Sequence, residues 1–294
     1  MKSPEYGLEI KVAGSKLDGI NDLFTHRESM DAWMHERLLG LVDPLIAAYP
    51  NAHWLTIGDG GADAWMLQQR GARAVTASSI SDVRLREAAK LGHLKDIPIR
   101  ALNAECLDVG DASFDLLLCK ETYHHVRRAP LAFYEFMRVS RLGFVLIEPA
   151  EFSLRLFNSI RALAKIMLRK RRPIYDLFEP TGNYIYRVSE REVFRMVTAV
   201  QLPWFAVKYC NVFYVHWLGA QRRDSWPARA LASLGIGFQD VLSACRLMSP
   251  GMCALFVPTA PPLEAAREAL RAAHFRILTI PRNPYVSAPE LDHN

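Results

Sequence analysis

The sequence predicts an α/β fold built on a mostly parallel sheet flanked by helices, and three observations lead to it. From Trp54 to Pro149, apolar runs of strand length alternate with helical segments in an orderly series. The first run, Trp54-Leu55-Thr56-Ile57, ends in Gly58-Asp59-Gly60-Gly61 and enters a helix. The fourth, Phe114 to Cys119, is apolar in the manner of a strand buried on both faces. Alternating strands and helices imply parallel pairing with right-handed crossovers. An apolar strand that ends in glycines and enters a helix is how an open sheet of this kind builds a nucleotide pocket. The glycines permit a sharp turn and a close approach of backbone to ligand.

The elements follow in order. Residues 1–50 form an N-terminal helical cap: Ile20, Leu23 and Phe24, then Met30, Trp33, Met34, Leu38, Leu39, Leu41, Val42 and Leu45, recur near helical spacing over 16–48. Pro50-Asn51 breaks that pattern before a first strand at 53–58. Asp63 to Arg70 is helical, with Asp63 placed to cap its start and Gly71 its end. A second strand spans 74–78, and Ser81-Asp82 stands where an N-cap belongs, ahead of a helix from Val83 to Leu91. Strands at 97–102, Phe114–Cys119 and Gly143–Ile147, with a helix over Ala129–Ser140, complete a core unit of residues 51–150.

Beyond Pro149 the regularity fades. An insertion over 151–188 comprises an amphipathic helix at 152–172 and an aromatic-rich loop at 175–187 with Thr181-Gly182-Asn183 as turn chemistry. Residues 189–294 return to the core. Ser189 and Glu192 form a capping box for a helix reaching Val200, and 205–217 is strand-like. A helical insertion lies near 218–250, with 226–248 helical but interrupted at Gly235 and Gly237. Met252–Val257 is a strand, Leu263–Ala273 a helix and Phe275–Ile280 a last strand.

Composition narrows the function. Half of the 294 residues are apolar, enough for a sizeable core, and the net charge of +5 is mild. Much of that charge sits in one run, Arg161 to Arg172, which reads either as a solvated helix end or as a patch for an acidic substrate or membrane surface. Basic residues interleaved with aromatics over a face, as nucleic-acid binding requires, are not seen. Five scattered cysteines without a CxxC pair suggest neither a disulfide framework nor a metal site, which fits a reducing compartment. With no apolar signal core and no run of ~20 apolar residues, the chain reads as soluble and cytoplasmic.

Four features stand together: the glycine turn, the stretch Ser113-Phe114-Asp115 through Lys120-Glu121-Thr122-Tyr123-His124-His125, the helix end Met137-Arg138-Val139-Ser140-Arg141, and the strand closing in Glu148-Pro149. On these, the segment 53–149 resembles the class I S-adenosylmethionine-dependent methyltransferases, closest to their small-molecule group, and the C-terminal strands resemble them loosely. The resemblance implies a Rossmann-like, mostly parallel sheet of about seven strands, S-adenosylmethionine as cofactor and S-adenosylhomocysteine as product. The chain departs from the family pattern at four places. Thr56 stands at the usual acid of the first strand and Ala62 replaces the third glycine; Ser79 stands where an acid would grip the ribose, and Asn103-Ala104 replaces Asp-Ala. A nicotinamide fold would need a third glycine at Asp63 and an acid at Ser79, and has neither.

On this reading the cofactor side comprises Gly58, Asp59, Gly60, Gly61, Ser79, Ile80, Asn103, Ala104, Glu105 and Lys120, the lysine pairing either with the cofactor's carboxylate or in an ordinary salt bridge. His124 and His125, just past the fourth strand, are candidate bases for an oxygen nucleophile, or shape the loop through backbone hydrogen bonds; the sequence does not choose between them. Tyr123, Tyr184 and Tyr186 are candidate substrate contacts, with Tyr175, Phe178, Glu179, Asn183, Arg187, His216 and Trp217 further members of the same surface or parts of a plain hydrophobic lid. No metal is expected. The expected reaction is O-methylation of a sugar, a polysaccharide precursor or a secondary metabolite, with a small-molecule acceptor as partner, no nucleic acid, no integral membrane segment, and a homodimer compatible with the sequence. The alternative is a catalytically degenerate methyltransferase fold used as a binding or scaffold partner, motivated by the replacements at Thr56, Ala62, Ser79 and Asn103.

Overall fold

The structure is a computed structural model and describes residues 28–151, 184–213, 215–260 and 263–285. The sequence readings for 16–27 and 152–183, among them the basic run and Tyr175, Phe178, Glu179 and Asn183, lie outside the described residues.

The described chain begins with α1 (Met30–Leu39), a 3-10 turn (Gly40–Val42) and α2 (Asp43–Ala48). Ser29 caps α1, its hydroxyl accepting from the Ala32 amide at 3.1 Å. There follow β1 (His53–Ile57), α3 (Ala62–Gln69), β2 (Ala74–Ser79), α4 (Val83–Lys90), β3 (Ile99–Ala101), β4 (Phe114–Lys120), a 3-10 turn (Tyr123–His125), α5 (Ala129–Val139) and β5 (Ser140–Pro149). The remainder is α6 (Glu190–Ala199), β6 (Trp204–Cys210), α7 (His216–Gly219), α8 (Trp226–Ala244), β7 (Met252–Pro258), α9 (Glu264–Ala272) and β8 (Arg276–Thr279).

Among the described residues, eight strands form one sheet in the order β3-β2-β1-β4-β5-β7-β6-β8, where the resemblance implies about seven. The five strands β3 to β5 pair in parallel, and β7, β6 and β8 continue antiparallel. Period-two alternation divides the core between the two faces. Trp54, Leu116, Leu118, Val145 and Ile147 pack with α1 to α4 and α9, while Leu55, Ile57, Leu117, Cys119, Phe144 and Leu146 pack with α5 and α6. The strand order reverses at β1, which has β2 on one side and β4 on the other. A crevice opens at such a switch point, outside the C-terminal strand ends. The glycine turn, Ser79, Asn103, Lys120 and Glu148 all emerge on that edge.

Several boundaries differ from the sequence reading for identifiable reasons. The strand predicted for 205–217 stops at Cys210. Asn211 is buried there, donating to Asp240 at 2.8 Å and Ser243 at 3.2 Å and accepting from the Gly251 amide at 3.0 Å, so side-chain bonds to α8 replace the ladder. Asp82 makes no side-chain cap; it pairs with Arg86, one turn on, at 2.6 Å. The Ser189 hydroxyl does accept from the Glu192 amide at 3.2 Å, but the Glu192 carboxylate takes the Tyr186 hydroxyl instead of completing the box.

α8 runs unbroken through Gly235 and Gly237. At Gly235 an added Cβ would lie 2.5 Å from Phe213 Cγ, so the glycine is there for close packing; at Gly237 nothing lies within 4 Å. Gly235→Ala is therefore expected to destabilise the fold by about 1–3 kcal/mol through overpacking. Gly237→Ala is expected to stabilise it by up to about 1 kcal/mol through helix propensity. Thermal unfolding of the two variants checks this, and shifts of the same sign would contradict it.

Candidate functional site

The glycine turn is held from two directions. Gly58 has φ +73°, and a Cβ on it would fall 2.0 Å from Thr122 Cγ2, so the turn after β1 packs directly on the loop after β4. Asp59 is buried and collects donors from all around. Its carboxylate accepts from the Thr56 hydroxyl at 2.9 Å and from the amides of Gly61, Asp63 and Ala64 at 2.7, 3.1 and 2.8 Å. These include free N–H groups at the start of α3. Asp59, not Asp63 as the sequence suggested, thus satisfies the start of this helix, because it lies within the turn and its buried side chain folds under it to reach these amides.

Asp63 turns instead to Lys120, at 3.3 Å. Lys120 is the last residue of β4 and is buried, with Nζ 2.8 Å from Glu121 and 3.1 Å from His35 Nδ1 on α1. Burial works against its charge, but Asp63 and Glu121 outweigh that and hold the ammonium above its ordinary pKa. Burial likewise opposes the charge of Glu121, and hydrogen bonds from His35 and Lys120 overcome it, leaving the carboxyl well below the usual range. The lysine therefore has the internal salt bridges that the sequence gave as one of its two options.

The other face of the same edge carries the second buried charge. Glu148, near the end of β5, is fully buried. One carboxylate oxygen accepts from the amides of Thr122 and Tyr123 at 2.9 and 2.8 Å; the other lies 2.6 Å from His124 Nδ1. A carboxylate holding backbone donors only accepts, so the proton of this contact belongs to Nδ1. In the neutral ring that makes Nε2 the acceptor. The His125 ring lies 3.9 Å from that of His124 at 45°. The Tyr186 amide donates to the His124 carbonyl at 2.8 Å, which fixes the segment after residue 183 onto this loop.

The structure brings most of the sequence-derived site residues to one edge. Gly58, Asp59, Gly60 and Gly61 form the turn; Ser79 and Ile80 lie half-buried at the end of β2. Asn103 and Ala104 lie in a tight turn after β3, where the Asn103 side-chain oxygen accepts from the Glu105 amide at 3.0 Å. Glu105 is committed elsewhere, holding the Arg128 amide at 2.7 Å and its Nε at 2.6 Å. Tyr123 is buried, and its hydroxyl has no hydrogen-bond partner among the described residues; its ring meets Tyr186 edge-on at 6.1 Å. Tyr184 and Trp217 are exposed. Sequence reasoning passed over Glu148, His35 and Arg84. A lone acid ending the apolar run Phe144–Ile147 was the available signal for Glu148. His35 lies 85 residues from its partner Lys120 and offered none. Among the described residues no group of three or more His, Cys, Asp or Glu gathers as a metal site, and no helix is long and apolar enough to cross a membrane.

Residues 55–147 match the methyltransferase domain family. Over those residues the sequence has the character of a methyltransferase domain. Its Rossmann-like sheet is the one described above. Among solved structures, the chain is similar to the YcgJ protein of Bacillus subtilis, at 17% identity over 75% of this chain and 96% of that one, with a TM-score of 0.48. It is similar to a putative methyltransferase of Bacillus halodurans, at 14% identity over 74% and 98%, TM-score 0.45. A third is magnesium protoporphyrin IX methyltransferase of Synechocystis with bound SAH, at 16% identity over 63% and 79%, TM-score 0.43. No curated protein matches the chain.

The glycine turn has a pH signature. Burial first, and the Asp63 charge second, raise the Asp59 carboxyl from 3.8 to about 6 against the pull of its backbone donors. Folding therefore favours its protonated form. That contribution to stability is complete below pH 3.8 and is lost as pH rises through about 6. Urea unfolding between about pH 4 and about pH 7 is expected to show a steeper loss of stability in the wild type than in Asp59→Asn, which has no proton to release. Parallel profiles would contradict the assignment.

Proposed function

We propose that the chain is an S-adenosylmethionine-dependent methyltransferase that acts on the oxygen of a small molecule, with His124 as general base. The observation that carries this reading is the buried Glu148–His124 pair, 2.6 Å apart, on the same sheet edge as the glycine turn of a methyltransferase domain. Sugars, polysaccharide precursors and hydroxylated secondary metabolites are the acceptor classes we favour.

The edge suits a nucleoside cofactor. The glycine turn, Ser79 with Ile80, and Asn103 with Ala104 follow one another across the adjacent strands β1, β2 and β3, and a guanidinium nitrogen of Arg84 beside the turn is buried without a partner among the described residues. When bound, S-adenosylmethionine supplies a methyl group on a sulfonium, which requires a deprotonated, aligned nucleophile.

The rest is the work of this chain's residues. Glu148 fixes the His124 ring and its tautomer, so Nε2 is ready to accept the proton of an acceptor hydroxyl. The proton moves from that hydroxyl to Nε2, and the imidazolium formed is stabilised by the Glu148 carboxylate already bonded to Nδ1. Tyr123 and Tyr186, whose rings meet edge-on, are the aromatic contacts we assign to the acceptor. Between the two histidines, the bond to Glu148 favours His124.

A second reading, the degenerate scaffold, has its own support. Asp59, Lys120, Glu105 and the Asn103 amide oxygen are engaged in internal hydrogen bonds, which leaves few groups free to hold a cofactor. Calorimetric titration with S-adenosylmethionine and S-adenosylhomocysteine separates the readings: saturable one-to-one binding is expected, and no heat on verified folded protein would move the assignment to the scaffold. With a methyl-transfer assay on a panel of hydroxylated acceptors, His124→Ala is expected to lower kcat by about 10²–10⁴ and leave cofactor affinity unchanged. Glu148→Gln is expected to lower kcat by about 10–100-fold. Full activity in His124→Ala would remove the base assignment.

A further inference from the structure

One charge at the glycine turn is used neither by the fold nor by the chemistry above. Arg84 projects from the first turn of α4 and lays its guanidinium across Gly60. A Cβ built on Gly60 would lie 3.4 Å from Arg84 Cζ and 3.6 and 3.7 Å from the two terminal nitrogens. The side chain is half-buried, its Nε has no hydrogen-bond partner, and no carboxylate pairs with it among the described residues. Its neighbour Arg86, by contrast, is exposed and paired with Asp82. Burial pulls the Arg84 pKa down, and the field of Asp59 offsets this only in part. Asp59 is no hydrogen-bond partner for it, because its oxygens already hold the Thr56 hydroxyl and three amides.

A partly desolvated cation without a partner is costly, so its place calls for a function. The surroundings indicate an anion. β2 ends in Ser79, with Ser81 two residues on, where a ribose-gripping site would carry an acid. Hydroxyls donate to an anion, whereas a carboxylate there would repel it. In nucleotide-binding α/β sheets, a nearby arginine in place of that acid accommodates a phosphate on the ribose. The planar guanidinium fork matches carboxylate and phosphate alike.

We propose that Arg84, with Ser79 and Ser81, forms an anion subsite at the glycine turn that anchors a negatively charged group of the nucleoside ligand. Two sources have this chemistry: the carboxylate of the amino-acid part of S-adenosylmethionine, and a phosphate carried on the ribose. The proposal rests on the reading of this edge as a nucleoside site, and its carboxylate form rests on the cofactor proposed above.

The test is calorimetry on the full chain, as wild type, Arg84→Ala and Arg84→Lys, each first shown to be folded by thermal unfolding. The probes are S-adenosylhomocysteine, 5′-methylthioadenosine, which lacks the carboxylate, and adenosine 2′,5′-bisphosphate. Wild type is expected to bind an anionic probe at least about tenfold more tightly than methylthioadenosine, a difference of about 1.4 kcal/mol. Arg84→Ala is expected to erase that preference without weakening methylthioadenosine, and Arg84→Lys to restore part of it. Preference for S-adenosylhomocysteine identifies the carboxylate. Preference for the bisphosphate with no binding of S-adenosylhomocysteine upholds the subsite and overturns the methyltransferase reading. Equal affinities in wild type and Arg84→Ala overturn the subsite and leave the cofactor reading intact. Binding of none of the three probes by folded wild type overturns both.

Discussion

A carboxylate cut off from water has to be surrounded by donors, and the edge that carries the candidate site is organised around that requirement at Glu148. Leaving an ion of this kind uncompensated costs on the order of several kcal/mol. Glu148 draws in the amides of Thr122 and Tyr123 and the ring of His124. It thereby fastens the loop after β4 to the end of β5. The same loop presents Thr122 to Gly58, so the glycine turn after β1 is positioned by a charge two strands away. The Tyr186 amide closes on the His124 carbonyl and brings a distant part of the chain to the same place. One buried side chain thus sets the turn, the His124 ring and the segment that carries Tyr186.

The opposite face of the sheet edge is built on the complementary charge. Lys120 is buried among Asp63, Glu121 and His35, which joins β4 to α3 and α1. The period-two alternation of neighbouring strands puts the two clusters on opposite faces. The crevice between them is left with Ser79, Asn103, the glycine backbone and Arg84. Most charged groups near this edge are occupied in holding the edge itself. Among the described residues this edge offers hydroxyls, amides and the Arg84 guanidinium, which differs from the acids that the family resemblance implies.

Much of the fold was legible because it is written locally. Strand–helix alternation, the glycine turn and the two-sided apolar runs concern neighbours in sequence, and the five parallel strands follow from them. What was not legible depends on partners far along the chain. β6 stops at Cys210 because Asn211 finds Asp240, Ser243 and Gly251, 29 to 40 residues away. Gly235 reads as a helix breaker until Phe213 is placed against it. The exchange of roles between Asp59 and Asp63 turned on burial: both flank the turn, but only Asp59 folds under it, and Asp63 faces Lys120. At the candidate site the histidines were visible as residue types beyond a strand, whereas the feature that distinguishes them, a bond to Glu148 across 24 residues, was not.

The proposed base depends on Glu148 fixing the His124 ring with its proton on Nδ1. Long-range 1H–15N NMR of histidine-labelled protein reads that directly, with a His124 variant to assign the signals. The proton is expected on Nδ1 and not on Nε2, with that fixed tautomer lost in Glu148→Gln. A proton found on Nε2, or a tautomer mixture that Glu148→Gln leaves unchanged, would contradict it.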